Sequence, residues 1–143
     1  MNKTASLAIY LNFNGNTEEA FNFYKANLGG EFSAPQRVKD TPESSKLPPE
    51  DQDKIMHVAL PVGNGCLLMA TDALESMGQN VTTGTNFSIS LDAAGLEEAE
   101  RLFNGLSDGG QVTMPLMKMV WGAYFGLFND KFGIQWMVNC KDN

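Results

Sequence analysis

The chain reads as an α+β protein made of two βαβββ modules, residues 5–72 and 84–139, joined into a single domain (1–143) with a cupped mixed sheet. Three observations predict this. Glu18-Glu19-Ala20 recurs as Glu97-Glu98-Ala99, and Phe23-Tyr24 as Leu102-Phe103, both 79 positions later. Self-similarity at a fixed shift marks a repeated supersecondary unit. Glycine pairs, Gly29-Gly30 and Gly109-Gly110, close the two helical stretches at nearly the same shift. Each half also reads as one strand, a helix and three strands. A four-stranded half with a helix on one face cannot bury its other face alone, so two halves side by side should curve their free faces around a shared cleft.

Residues 6–13, SLAIYLNF, form the first strand. Asn16 or Thr17 is the N-cap of a helix through EEAFNFYKANL, with Glu18 and Glu19 in its first turn. Ala20, Phe23, Tyr24 and Leu28 share one face at helical spacing. A second strand spans 31–38. Residues 39–54, KDTPESSKLPPEDQDK, hold three prolines and many charges. They read as a loop, disordered or serving as a lid. Residues 55–62 and 66–71 make a hairpin across Gly63-Asn64-Gly65, and a polar connection follows to Gly84.

In the second half, 86–92 is a strand and 95–106 a helix with Leu96, Ala99, Leu102, Phe103 and Leu106 on one stripe. A strand begins at Gln111 and ends at Met114-Pro115. The closing hairpin, WGAYFGLFNDKFGIQWMVN, turns at Asn129–Gly133. Alternation sets Trp121, Ala123, Phe125 and Leu127 on one face, and Gly122, Tyr124, Gly126 and Phe128 on the other. The glycines thin that second face, so another backbone, a ligand or a partner strand could approach it. Apolar residues on both faces make this a central hairpin.

Seventeen acidic against ten basic residues leave a net charge of -7. That excludes the basic footprint a nucleic-acid binder needs, and no polybasic segment suits anionic lipid. No stretch is long and apolar enough to span a membrane, and the first residues lack a secretory pattern. Cys66 and Cys140, the two cysteines, lack metal-ligand spacing and read as buried thiols in a reducing compartment. The protein is expected in the cytoplasm. A Gly-rich phosphate loop, a nucleophile elbow and a Rossmann glycine turn are all absent.

The segments YLNFNGNTEEAFNFY, IMHVAL, LLMATD, EEAERLF, GGQVTMPL and the closing WGAYFG…FGIQWMVN resemble the PhnB-like branch of the vicinal-oxygen-chelate superfamily. This superfamily contains glyoxalase I, the bleomycin-resistance proteins and the extradiol dioxygenases. The resemblance covers nearly the whole chain and implies a glyoxalase-like domain. It also implies four slots, filled by His, Glu or Gln in the metalloenzymes, on the first and last strands of each half.

Here those slots fall on Ile9, on Ser88 or Asn86, within Cys66–Ala70, and on Gln135. One Gln with no His or Glu is a poor donor set for a divalent ion, so no metal and no cofactor is expected. A divalent metal remains the alternative. His57, the only histidine, lies in IMHVAL and is either a satisfied structural residue or a general base. Gln135 should point into the cleft. Ile9, Leu11 and Phe13 should line its first wall with Met69, joined by His57 and Trp121. Met114, Met117 and Met119 either line an adaptable pocket or fill core space. Two functions follow as expectations. One is a small-molecule binder, homodimeric like the drug-sequestering members of the superfamily. The other is an enzyme, metal-assisted or using His57 as base.

Overall fold

The computed structural model describes residues 5–42, 44–63 and 65–141. Asn64 of the expected Gly63–Gly65 turn and Glu43 of the 39–54 loop lie outside them. The chain divides into two compact units between Val81 and Thr82.

The first unit comprises β1 (Ile9–Phe13), α1 (Thr17–Leu28), β2 (Ser33–Arg37), β3 (Ile55–Val62) and β4 (Cys66–Asp72). The second comprises β5 (Ile89–Asp92), α2 (Leu96–Ser107), β6 (Gln111–Lys118), β7 (Ala123–Asn129) and β8 (Gln135–Lys141). The sheet orders are β1-β4-β3-β2 and β5-β8-β7-β6. In each, the first strand runs parallel to the last and the other pairs are antiparallel. The fold is therefore α+β, two βαβββ modules of identical topology. Both ends of α2 lie 79 positions after the matching ends of α1, the shift of the sequence repeat. No helix of the described residues is long and apolar enough to cross a membrane.

The start of α1 is held from the sheet. Asn16 occupies the N-cap position without a side-chain cap bond. Instead the buried Asp72 carboxylate accepts from Thr17 N (3.0 Å) and Thr17 Oγ1 (2.6 Å) through Oδ1, and from Ile55 N (2.8 Å) through Oδ2. A carboxylate is favoured here because the first-turn N–H groups lack helical partners. This anchor turns Thr17, Ala20, Phe21 and Tyr24 inward, an i, i+3, i+4, i+7 set. Phe21 therefore takes the core place expected for Phe23, which is half-buried.

The 39–54 segment corrects the expectation of disorder. It folds into short 3-10 turns at Val38–Asp40, Ser44–Lys46 and Pro49–Asp51. Val38 N donates to Lys54 O and Lys39 N to Gln52 O, pairing its two ends. Gln52 Nε2 donates to the carbonyls of Ser44 and Leu47. Asp51 is buried, accepts from Ser76 Oγ at 2.6 Å and pairs with Lys54 at 2.9 Å.

In the second unit Ala99, Leu102, Phe103 and Leu106 of α2 are buried, while Leu96 is more than a third exposed. Strand β6 does not stop at Met114-Pro115 but runs on to Lys118. Proline is tolerated because β6 is an edge strand. The register slips there: Met114 faces Leu127 and Met117 faces Phe125, three residues against two, as in a bulge. The β7–β8 hairpin is central, as its two apolar faces imply. Its turn closes on the buried Asp130, which accepts from Phe132 N, Ile134 N and Trp136 Nε1 at 2.8, 3.0 and 2.8 Å. Cys140 is a buried free thiol, but Cys66 is exposed, at the start of β4.

Candidate binding faces of the two sheets

Residues paired across strands share a face of the sheet. In the first unit Ile9, Leu11 and Phe13 pair with Leu68, Ala70 and Asp72, which in turn align with Leu60 and Val58. This is the face α1 covers, since Asp72 binds Thr17. Leu11 and Phe13 are each only 3% exposed. The opposite face is open and carries Tyr10, Asn12, Leu67, Met69, Thr71 and His57. The structure thus separates the residues expected to form one wall. Met69 pairs with Tyr10, whereas Ile9, Leu11 and Phe13 lie on the helix side. The physical reason is burial: enclosing a Leu or Phe side chain is worth roughly 1.5–3 kcal/mol, which settles the phase of the strand.

On that open face Tyr10 Oη lies 3.2 Å from His57 Nδ1, and the rings are tilted with centroids 5.9 Å apart. The two come from β1 and β3, with β4 between them. Partial burial pushes the Tyr10 phenol pKa up, so the hydroxyl keeps its proton at neutral pH. Tyr10 is the residue the sequence reading missed. Its signal was present: a phenol alternating with Ile9 and Leu11 puts an apolar body and a wet tip on the opposite side.

In the second unit Trp136 and Val138 pair with Ile89 and Leu91 and with Phe128 and Gly126. These face α2, where Phe103 meets Phe128 edge-on at 5.1 Å. A Cβ on Gly126 would meet Phe103 Cε2 at 2.5 Å and Leu116 Cα at 2.9 Å. The thinned face therefore admits the chain's own helix and edge strand. The open face carries Gln135, Met137, Asn139, Phe125 and Leu127, with Ser90 and Asp92 from β5. Gln135 Nε2 donates to Phe87 O, and Asn139 Nδ2 to Asp92 Oδ1 at 3.1 Å. Trp121 precedes β7 in a turn closed by Gly122 N to Met119 O, is 66% exposed, and meets Phe125 edge-on at 6.4 Å.

The donor set does not suit a divalent ion. Ile9 carries no donor, Cys66–Ala70 holds no carboxylate, Asn86 and Ser88 are exposed and precede β5, and Gln135 is a neutral amide. Among the described residues no three or more His, Cys, Asp or Glu side chains cluster. Hard cations need several charged or oxygen donors together. A groove of about 260 Å³ lies elsewhere in the first unit, on the helix side. Phe21, Val58 and Arg37 line it, with Arg37 paired to Glu18 at 2.6 Å, and it contains none of the expected site residues.

The chain shares its fold with a glyoxalase/bleomycin resistance protein/dioxygenase family enzyme of Burkholderia phytofirmans and a glyoxalase/bleomycin resistance protein of Albidiferax ferrireducens, at 14% and 16% identity with TM-scores of 0.66 and 0.64. The chain belongs to the family described as 3-demethylubiquinone-9 3-methyltransferase, the PhnB-like family, which matches residues 5–139. Protein PA1353 of Pseudomonas aeruginosa is 43% identical, with a TM-score of 0.85, over 98% of this chain and all of that one. A PhnB protein of Bacillus cereus is 26% identical, with a TM-score of 0.77, over 95% of this chain and 99% of its own. Protein YjdN of Escherichia coli is 28% identical over 93% of each chain.

Proposed function

We propose that this protein binds a small organic molecule on an open sheet face centred on Tyr10, His57 and Met69, without the divalent metal used by superfamily enzymes. The observation that carries this is the Tyr10–His57 pair. It sets a phenol and an imidazole beside Met69, Leu67 and Ala59, on a face that also carries Asn12 and Thr71, and a few placed polar groups among apolar ones are what orient a small ligand. Gln135, with Leu127 and Met137 around it, offers a second surface of the same kind on the other unit. The protein acts as a homodimer in the cytoplasm. Two free cysteines and an acidic balance support that setting and argue against nucleic-acid partners.

A Rossmann-type nucleotide cofactor does not suit the fold. The β1–α1 turn has a single glycine, Gly15, and each sheet has only one parallel strand pair. The second reading is an enzyme with His57 as general base, which needs the opposite sense of that hydrogen bond, Nδ1–H donating to Tyr10 Oη so that Nε2 keeps its lone pair.

Metal analysis of dialysed protein, together with thermal-shift screening against small organic compounds in chelator, tests the proposal. Metal below a tenth of an equivalent and stabilisation by a compound that Tyr10→Phe weakens are expected. Stoichiometric Zn, Ni, Mn or Fe that is lost in Gln135→Ala would overturn it and promote a metalloenzyme.

A further inference from the structure

His57 is the only histidine of the chain, and its ring hydrogen-bonds to one group. Nδ1 lies 3.2 Å from Tyr10 Oη, and among the described residues Nε2 has no partner. A neutral imidazole has one N–H and one lone pair, and the bond made by one nitrogen fixes the state of the other. Two arrangements fit the distance. Either the phenol donates to Nδ1 and the ring proton sits on Nε2, or Nδ1–H donates to the phenol oxygen and Nε2 keeps a lone pair.

The chemistry of the two partners separates them. A phenol oxygen shares its lone pair with its ring and accepts poorly, while its O–H is a better donor than a neutral imidazole N–H. An imidazole lone pair lies in the ring plane and accepts well. The raised pKa of Tyr10 keeps its proton available across the neutral range. The phenol-to-Nδ1 bond is therefore the stronger of the two.

We infer that Tyr10 positions His57 as the Nε2–H tautomer, so that the open face of the first sheet offers an N–H donor to a carbonyl or carboxylate oxygen of the ligand. This rests on the binding reading above and makes its ligand class specific. It also assigns Tyr10 as a positioning residue: the hydroxyl acts through the imidazole. Neutral His57 then presents no lone pair at Nε2, so the same bond that orients it removes the base of the enzyme reading. Met69, beside Tyr10 in the register, supplies apolar contact for the body of such a ligand.

The test is a long-range ¹H–¹⁵N spectrum of ¹⁵N-histidine-labelled protein at about pH 8, where the single imidazole gives one readable pattern. The wild type should show a protonated-type Nε2 and an acceptor-type Nδ1. In Tyr10→Phe, which keeps the ring, the Nδ1–H fraction should rise about twofold or more. Benzoate should then shift the wild-type Nε2–H signal and do so at several-fold higher concentration in Tyr10→Phe, while benzylamine leaves it in place. An Nδ1–H pattern in the wild type, or a pattern unchanged in Tyr10→Phe, overturns the tautomer assignment whatever binds. With the tautomer as assigned, a response to benzylamine instead of benzoate overturns the ligand class but keeps the binding reading. Response to neither probe overturns the binding reading at this face.

Discussion

Asp51 shows how much one buried side chain can decide. It is 2% exposed, sits in the proline-rich segment and joins it to the turn Glu75–Met77 through Ser76, with Lys54 as its ion-pair partner. The Ser76 hydrogen bond and then Lys54 hold its pKa below the ordinary carboxylate value, against the opposing effect of burial. A carboxylate whose folded pKa is depressed contributes stability above its unfolded pKa and loses it as pH falls through the folded value. Between about pH 5 and pH 3 the wild type should therefore lose melting temperature faster than Asp51→Asn, which carries no charge to protonate. Parallel melting curves for the two proteins over that range would contradict the assignment. This anchor is not legible in the sequence, because Ser76 stands 25 positions away and shares no motif with Asp51.

Strands show where alternation stops being informative. IYLNF and GIQWMVN each display period two, and in the second Trp136 and Val138, larger and more apolar than Gln135 and Asn139, take the buried side. In β1 the same logic should have applied: Leu11 and Phe13 are the greasier set, and they go to the helix face. Their apolar character is that of core, not of a ligand wall. Strand β6 runs past Pro115, where proline reads as a stop unless the strand is known to be an edge. Gly126 of β7 is legible as a thin position, but what fills the space is not. Gly126→Ala tests the answer. Its Cβ would press on Phe103 and the Leu116 backbone, and overpacking of this kind costs typically 1–3 kcal/mol. Urea denaturation should show a lowered midpoint with a similar slope, and adding Phe103→Leu should recover part of the loss. An unchanged midpoint in Gly126→Ala would mean the face has room to spare.

For the whole chain, the 79-residue shift carried most of what could be read, because each module repeats one strand–helix–three-strand order and the register follows from it. A repeat says nothing about the outermost edges, where a second copy would attach. Strand β6 is such an edge, eight residues long. Val112 and Met117 on it are 45% and 51% exposed, and Val120 and Trp121 just beyond are 102% and 66% exposed. Exposed strand edges are normally paired or covered. A second copy is the simplest cover, because a twofold axis sets the same patch against itself. Light scattering at micromolar concentration should accordingly give twice the 15.6 kDa chain mass. Met117→Lys with Trp121→Lys should shift the population to monomer, since two buried lysines without partners are costly. Both side chains are more than half exposed in the single chain, so the variant should keep its circular dichroism spectrum. A wild-type mass of one chain, or a double variant that stays dimeric, would remove this edge as the interface.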